Sequence, residues 1–250
     1  MNVLPPGPGP APPKPVELSF LESRAETPTS NTYWFSTQGT GFAYRSNQAI
    51  RLLLPDSGDP RPWRLFSLSS SPTEEGRIAI TVKQTDSPYK QRLRRLQPGE
   101  RVTGFGPWGD LFYSPTRPAL FIAGGIGVSP FRGMMRYASD TGATQPIVLL
   151  YSSRVPEELA FRAELDAISA AHPHFRVWYT VTRPSESSLG WRGRTGRIDE
   201  AWIRDAVVGM SRPKVYVAGL PRMAHEMVAM LKERLGYPEE DLEYEYFMGY

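Results

Sequence analysis

The sequence predicts two domains, an N-terminal antiparallel β-barrel over residues 16–115 and a C-terminal α/β domain with a doubly wound parallel sheet over residues 116–250. Three observations lead there. At 250 residues the chain exceeds the usual size of one domain. Its composition, 40% hydrophobic and 22% charged, is that of a globular chain able to bury two cores. The pattern also changes at Ser114-Pro115-Thr116-Arg117-Pro118, from short β-rich runs to apolar strands alternating with helices.

The first fifteen residues carry Pro5, Pro6, Pro8, Pro10, Pro12, Pro13 and Pro15. Proline removes ladder donors and favours polyproline II, so residues 1–15 read as a disordered tail. From Val16 to Tyr113 come short β-rich runs such as Ile50–Leu54 and Ile78–Val82, broken at Pro98-Gly99 and Trp108-Gly109. Regularly spaced short strands predict a barrel. Beyond residue 118, the strand Leu120–Ala123 precedes a helix from about Pro130, and Ile147–Tyr151 precedes a helix from about Pro156. In the latter, Phe161, Leu165 and Ile168 fall on one face. Val177–Thr182 and Val215–Ala218 supply further strands, and a last helix presents Met223, Met227, Met230 and Leu231 for core packing. Strands alternating with helices predict parallel βαβ units.

Composition excludes several chemistries. With no cysteine, the chain cannot form disulfides, thiolate zinc sites, a catalytic thiol or an all-cysteine iron-sulfur cluster. His172, His174 and His225 are the only histidines, and no metal site is expected. A formal charge of +3 demands no nucleic acid. The apolar runs have strand length, so membrane insertion is not expected. No leader pattern is visible, which makes the cytoplasm the expected location.

Two motifs carry chemistry. In Phe121-Ile122-Ala123-Gly124-Gly125-Ile126-Gly127-Val128-Ser129-Pro130 a buried strand enters three glycines and then a helix. Such a turn lets backbone approach a pyrophosphate, whose charge the helix start attracts. Ser129 is expected at the N-cap and Pro130 at the first helical position. Pro130 stands where the Rossmann fingerprint has its third glycine. Upstream lies Arg64-Leu65-Phe66-Ser67, in which an arginine can pair a phosphate, an aromatic can lie on a flavin ring and a hydroxyl can reach its N5 edge.

In order and spacing, the chain from about Val16 to Tyr250 resembles the ferredoxin-NADP reductase family, an FAD-binding barrel followed by a nicotinamide nucleotide domain. The matching residues are Arg64-Leu65-Phe66-Ser67, Pro98-Gly99 with Gly106-Pro107-Trp108-Gly109, Gly124 to Pro130, Ala218-Gly219-Leu220-Pro221 with Met223, and the ending Glu245-Tyr246-Phe247-Met248-Gly249-Tyr250. The resemblance implies that Arg64 binds the FAD pyrophosphate and that Ser67 lies near flavin N5. Phe66 replaces the commoner tyrosine, keeping the ring contact but losing the phenolic hydrogen bond. Val82, Lys83 and Ser87 match the next FAD segment loosely, Ser87-Pro88 reading as a helix start that faces the pyrophosphate. The glycines Gly124, Gly125 and Gly127 with Ser129 and Pro130, and Gly219, Leu220 and Met223, fall at the nicotinamide nucleotide. Ser67, Glu245 and Tyr250 are the implied catalytic residues, with Phe247 or Tyr250 covering the flavin. Ala218 stands where relatives often carry cysteine.

Cations after the second and third strands of the α/β half decide between NADH and NADPH. There the sequence has Ser152-Ser153-Arg154 and Thr182-Arg183, and a loop with Arg192, Arg194 and Arg197. In NADPH-using relatives, similar arginines at the positions of Arg154, Arg183 and Arg197 contact the 2′-phosphate, so NADPH is expected. The expected activity is hydride passage between NADPH and FAD, and then single electrons to a separate carrier, because a chain without cysteine cannot hold its own iron-sulfur cluster. An acidic ferredoxin or flavodoxin would suit Lys90, Arg92, Arg94 and Arg95. The alternatives are a non-catalytic nucleotide-binding or adaptor module and an NADH-dependent reductase component of a multicomponent oxygenase.

Overall fold

The computed structural model describes residues 14–109 and 112–247. Most of the expected tail therefore lies outside the described residues. Its last residue, Pro15, is already in a strand, paired with Phe105 at the strand's first position, where a missing donor is tolerated.

The first half is an antiparallel sheet of six strands: β1 (Pro15–Thr27), β2 (Ser30–Ser36), β3 (Ala49–Leu53), β4 (Trp63–Ser67), β5 (Arg77–Lys83) and β6 (Arg101–Trp108), in the order β4-β3-β6-β1-β2-β5. Period-two alternation fills its interior. Val16, Leu18 and Phe20 of β1, Tyr33 and Phe35 of β2, Ile50 and Leu52 of β3, and Ile78, Ile80 and Val82 of β5 share one core. Just past β4, a bridge between Leu68 and Ile80 and the bond from Ser69 N–H to Ala79 O (2.9 Å) join the two ends of the order, closing the sheet into a barrel.

Helix α1 (Pro88–Arg94) starts as its sequence predicts, with Pro88 in the first turn and Ser87 Oγ accepting from Lys90 N–H at 3.4 Å. Its packing face corrects the expected docking cluster. Position 90 lies between Tyr89 and Leu93 on that face, so Lys90 is only 7% exposed and donates to Lys83 O at 2.8 Å. Burial, then the neighbouring charges of Arg64, Arg94 and Lys83, lower its pKa to about 8. Arg92 is spent on Asp56 and Glu100, and Arg94 on Gln84 and Thr85. Arg95 alone of the four is exposed without a side-chain ion pair among the described residues.

The second half is a parallel sheet of β7 (Ala119–Gly124), β8 (Ile147–Ser153), β9 (Phe175–Val181), β10 (Arg194–Thr195), β11 (Lys214–Gly219) and β12 (Leu242–Tyr246), in the order β10-β9-β8-β7-β11-β12. Alternate residues of the central strands serve opposite faces. Phe121, Leu149 and Tyr151 pack under α2 (Ser129–Asp140) and α3 (Arg162–Ala171), while Leu120, Ile122, Val148 and Val217 pack under α4 (Glu200–Ala206) and α5 (Pro221–Glu233). Met227 and Leu231 of the methionine stripe are buried there.

Two helix starts differ from expectation. A 3-10 turn over Gly125–Val128 runs straight into α2, so Ser129 is already helical and caps nothing. Helix α3 begins at Arg162 rather than near Pro156. Pro156–Glu158 form a separate 3-10 turn, Leu159 and Ala160 then dip into the core, where Ala160 N–H donates to Tyr151 Oη at 3.0 Å, and Phe161 turns with φ 60°. Leu165 and Ile168 are buried as expected.

A buried arginine joins the halves. Arg132 of α2 is 5% exposed and lies between Glu74, in the β4–β5 connection, and Glu164 of α3. It also donates to Ser69 O at 3.2 Å. Burial opposes its charge, but the two carboxylates outweigh that and raise its pKa. Beside it α2 nearly touches the barrel, since a Cβ on Gly133 would sit 2.6 Å from Ser70 O. Arg132→Ala would strand two carboxylates at this interface. The expected outcome is a loss of about 3 kcal/mol in urea unfolding that changes less with salt than the loss of a surface pair would.

Candidate active site

The four residues of the β4 motif alternate across the strand. Arg64 and Phe66 face α1, where the Arg64 guanidinium lies 4.9 Å from the Tyr89 ring centroid and the Phe66 ring 6.1 Å from it. Leu65, 55% exposed, and Ser67 fall on the other side. Asp59 orients the arginine, pairing with Arg64 Nη2 at 2.8 Å and accepting from Arg61 and Tyr89 N–H. Those bonds, that from Arg61 first, hold the Asp59 carboxyl below the usual carboxylate range. Arg64 and the Ser87 end of α1 are thereby brought together around Asp59, leaving the arginine side chain 22% accessible. Of the looser FAD matches, Val82 points into the barrel core, so only its backbone faces outward. Lys83 Nζ reaches Glu158 at 3.5 Å.

The glycine turn divides into two kinds of position. A Cβ on Gly127 would meet Ala218 O at 2.3 Å, and one on Gly124 would meet Met223 Sδ at 3.1 Å. These two glycines, with Gly219 (3.0 Å from Met223 Sδ by the same measure), knit β7 to β11. Gly125 is different. Its φ is 55° and nothing lies within 4 Å of its Cβ position, so it presents bare backbone to open space. Pro130 and Ser129 are buried in the first turn of α2. Leu220, 51% exposed, precedes α5 at the same edge.

At the glycine-turn edge the two halves are joined by a hydrogen bond between residues 178 positions apart, from Ser67 Oγ to Glu245 Oε1. Glu245 is opposite Ala218 in the β11–β12 ladder, and Tyr246 opposite Gly219, so the pair sits at the strand ends beside the glycine turn. Burial pushes the Glu245 carboxyl up, against the lowering effect of the Ser67 hydroxyl. Phe247 N–H donates to Gly219 O at 2.9 Å, and its half-buried ring packs at the margin of the α2/α3 core. Tyr250 lies outside the described residues.

Arg154 and Arg183 follow β8 and β9 and are joined by a backbone bond, Arg183 N–H to Arg154 O at 2.8 Å. Both are exposed. Ser153 is buried and its hydroxyl is 3.3 Å from Glu158 O. Arg197 stands apart from that pair, ion-paired with Glu226 of α5 at 3.1 Å. Arg183 pairs with Glu186 at 3.0 Å.

A barrel whose serine touches a carboxylate at the carboxyl ends of a parallel sheet is the two-domain arrangement to set beside known proteins. Residues 121–229 match the oxidoreductase NAD-binding domain family. The chain is 28% identical over 242 residues to ferredoxin-NADP reductase B of Sorangium cellulosum, spanning 93% of this chain and 97% of that protein. It is 30% identical over 199 residues to the glycine betaine monooxygenase reductase subunit of Chromohalobacter salexigens, covering 78% of this chain and 54% of that one. Among solved structures it superposes on the ferredoxin reductase of carbazole 1,9a-dioxygenase with TM-score 0.76 and 25% identity, covering 96% and 71% of the two chains. The ferredoxin-NADP+ reductase of Plasmodium falciparum with 2′P-AMP gives TM-score 0.76 at 15% identity, covering 93% and 96%. Residues 121–229 thus form an oxidoreductase NAD-binding domain, and over nearly its whole length the chain is similar to a ferredoxin-NADP reductase. It is an oxidoreductase, and no helix among the described residues is long and apolar enough to cross a membrane.

The residues present fit the family's cofactors. Arg64 is held with its side chain 22% accessible, Gly125 leaves its backbone open, and the part-buried Ser67–Glu245 pair lies at the strand ends beside the glycine turn. Sequence reasoning missed Asp59 and Tyr89, which orient Arg64. An acidic residue five positions before an arginine was the one local signal for the first; a ring brought in from α1 leaves none.

Folding raises the Glu245 pKa, so its contribution to stability is fully present below the ordinary carboxylate range and is lost as pH rises through the raised value. Glu245→Gln, which cannot ionise, is expected to remove that loss. Thermal unfolding from about pH 4 to about pH 8 should show the wild type falling relative to the variant as pH increases. Parallel curves would place the carboxylate in solvent.

Proposed function

We propose that the protein passes hydride from NADPH to FAD and then single electrons to a separate acidic carrier of the ferredoxin or flavodoxin type. The Ser67–Glu245 contact carries this reading, because it puts a hydroxyl and a half-buried carboxyl from different halves at one point beside the open Gly125 backbone. FAD, when bound, supplies the conversion between two-electron and one-electron steps. On this reading residues 16–115 hold the FAD and 116–250 the nucleotide. Arg64 pairs the FAD pyrophosphate, with Leu65, Phe66, Val82, Lys83 and Ser87 around it. Ser67 and Glu245 orient the reacting end, and Glu245 in its raised state can keep a proton there. Gly125 gives its N–H and its open side to the nucleotide pyrophosphate, and Gly219, Leu220 and Met223 border the nicotinamide.

NADPH is favoured by cations. On this reading Arg154 and Arg183, which follow β8 and β9 and share a backbone hydrogen bond, meet the 2′-phosphate of the adenosine, with Arg197 as a third cation. An NADH-dependent reductase component of an oxygenase is the second reading, and one observation favours it: Arg183 and Arg197 already have carboxylate partners.

Purified protein should be yellow and bleach anaerobically with NADPH. Arg64→Ala should shed FAD on gel filtration, since a charge-assisted phosphate contact is worth about 1.5 to 3 kcal/mol. Replacing Arg154 and Arg183 together with alanine should raise KM for NADPH by roughly tenfold to a thousandfold and leave NADH kinetics nearly unmoved. A wild type that prefers NADH would establish the second reading.

A further inference from the structure

The segment between β9 and β10 is long, exposed and carries Arg183, one of the arginines assigned above to the 2′-phosphate. After the 3-10 turn Pro184–Glu186 it runs through Gly190 and Gly193 before β10. One carboxylate from elsewhere in the chain holds it. Glu157 stands in the 3-10 turn Pro156–Glu158, three residues beyond Arg154. Its Oε1 accepts from Ser188 N–H at 2.8 Å, Ser188 Oγ at 3.0 Å and Leu189 N–H at 3.2 Å. The Ser187 hydroxyl lies 2.8 Å from Oε1 and 2.9 Å from Oε2.

These partners are hydroxyls and backbone N–H groups, not guanidiniums. Glu157 therefore fixes the loop without neutralising the arginines. Its own backbone N–H, followed by Ser187, Ser188 and Leu189, lowers its pKa to about 2, so it stays ionised across the neutral range. The neighbouring Glu158 turns the other way, 3.5 Å from Lys83 and 3.1 Å from Thr29 of the barrel side. The turn after β8 is thus bonded both to the arginine loop and to the barrel.

We infer that Glu157 is a positioning residue for 2′-phosphate recognition, pinning the loop at Ser187–Leu189 so that Arg183 stays beside Arg154. The inference rests on the NADPH reading above. Recognition of a phosphate by two arginines requires both to be in place before it arrives; a loop released at its middle would have to be ordered by the ligand, and the affinity would fall by that cost. A ligand without the 2′-phosphate does not use the arginines and does not feel the loss.

The test is calorimetric titration of the FAD-loaded protein with 2′,5′-ADP and with 5′-AMP, for wild type, Glu157→Ala, Glu157→Gln and Arg183→Ala. Glu157→Ala should weaken 2′,5′-ADP about tenfold while 5′-AMP stays within about twofold, with Glu157→Gln in between because one amide oxygen still accepts. Amide exchange at Ser188 and Leu189 should quicken in the alanine variant. If Glu157→Ala binds 2′,5′-ADP as the wild type does while Arg183→Ala does not, the inference is overturned and the NADPH reading stands. Equal weakening of both ligands also overturns it, as general damage. A wild type that does not distinguish the two ligands overturns the NADPH reading, and the inference with it.

Discussion

The guanidinium of Arg132, buried between Glu74 and Glu164, is the contact on which the rest of the site depends. Three charges taken out of water are tolerable only when their geometry is fixed, because each loses its hydration and must find it again in its partners. Here that requirement fixes more than the charges. Glu74 belongs to the barrel side and Glu164 to the sheet side, so the two halves can satisfy Arg132 in one relative placement. In that placement β4 lies against the end of β12, and Ser67 reaches Glu245. The close approach of Gly133 to Ser70 O, which no larger residue permits, has the same effect.

Within this frame each half makes its own contribution. The barrel brings an oriented cation, held by Asp59 and Tyr89. The parallel sheet brings open backbone at Gly125, where a positive φ and an empty surrounding coincide. Gly124 and Gly127 do structural service in the same turn, letting β7 and β11 come close enough for the strand ends to form one edge. Glycine-rich in sequence, the turn is thus only partly available to a ligand.

The outline was legible because it rests on local periodicities. The β-rich run Ile78–Val82 and the Ser87-Pro88 cap each carry their own signal and form as their residues dictate, and the glycine turn falls where expected although Ser129 does not cap the helix after it. The motif Arg64–Ser67 was legible through family resemblance more than through physics. What sequence did not yield depends on tertiary neighbours. Lys90 reads as a surface cation until α1 is laid on the barrel. Phe161 reads as part of a helical face, but Leu159 and Ala160 dip into the core first and force a left-handed turn at 161. Arg132 with Glu74, and Glu157 with the serines of a distant loop, are pairings 58 and about 30 positions apart, and no window of sequence contains both members.

The short stretch Ser67–Ser71 does three things in succession. Ser67 meets Glu245, Leu68 and Ser69 close the barrel onto β5, and Ser69 and Ser70 turn their carbonyls to α2. Ser69, Ser70 and Ser71 are all buried, with Ser70 Oγ accepting from Ala79 N–H at 2.9 Å and Thr81 Oγ1 donating to Ser69 Oγ at 2.8 Å. A barrel whose seam is open has no surface on which α2 can pack, and an undocked α2 leaves buried serine carbonyls facing water. Seam and interface are therefore one cooperative unit. The two halves, distinct in architecture, are coupled in their melting, and neither half's stability can be tuned through this stretch without moving the other's.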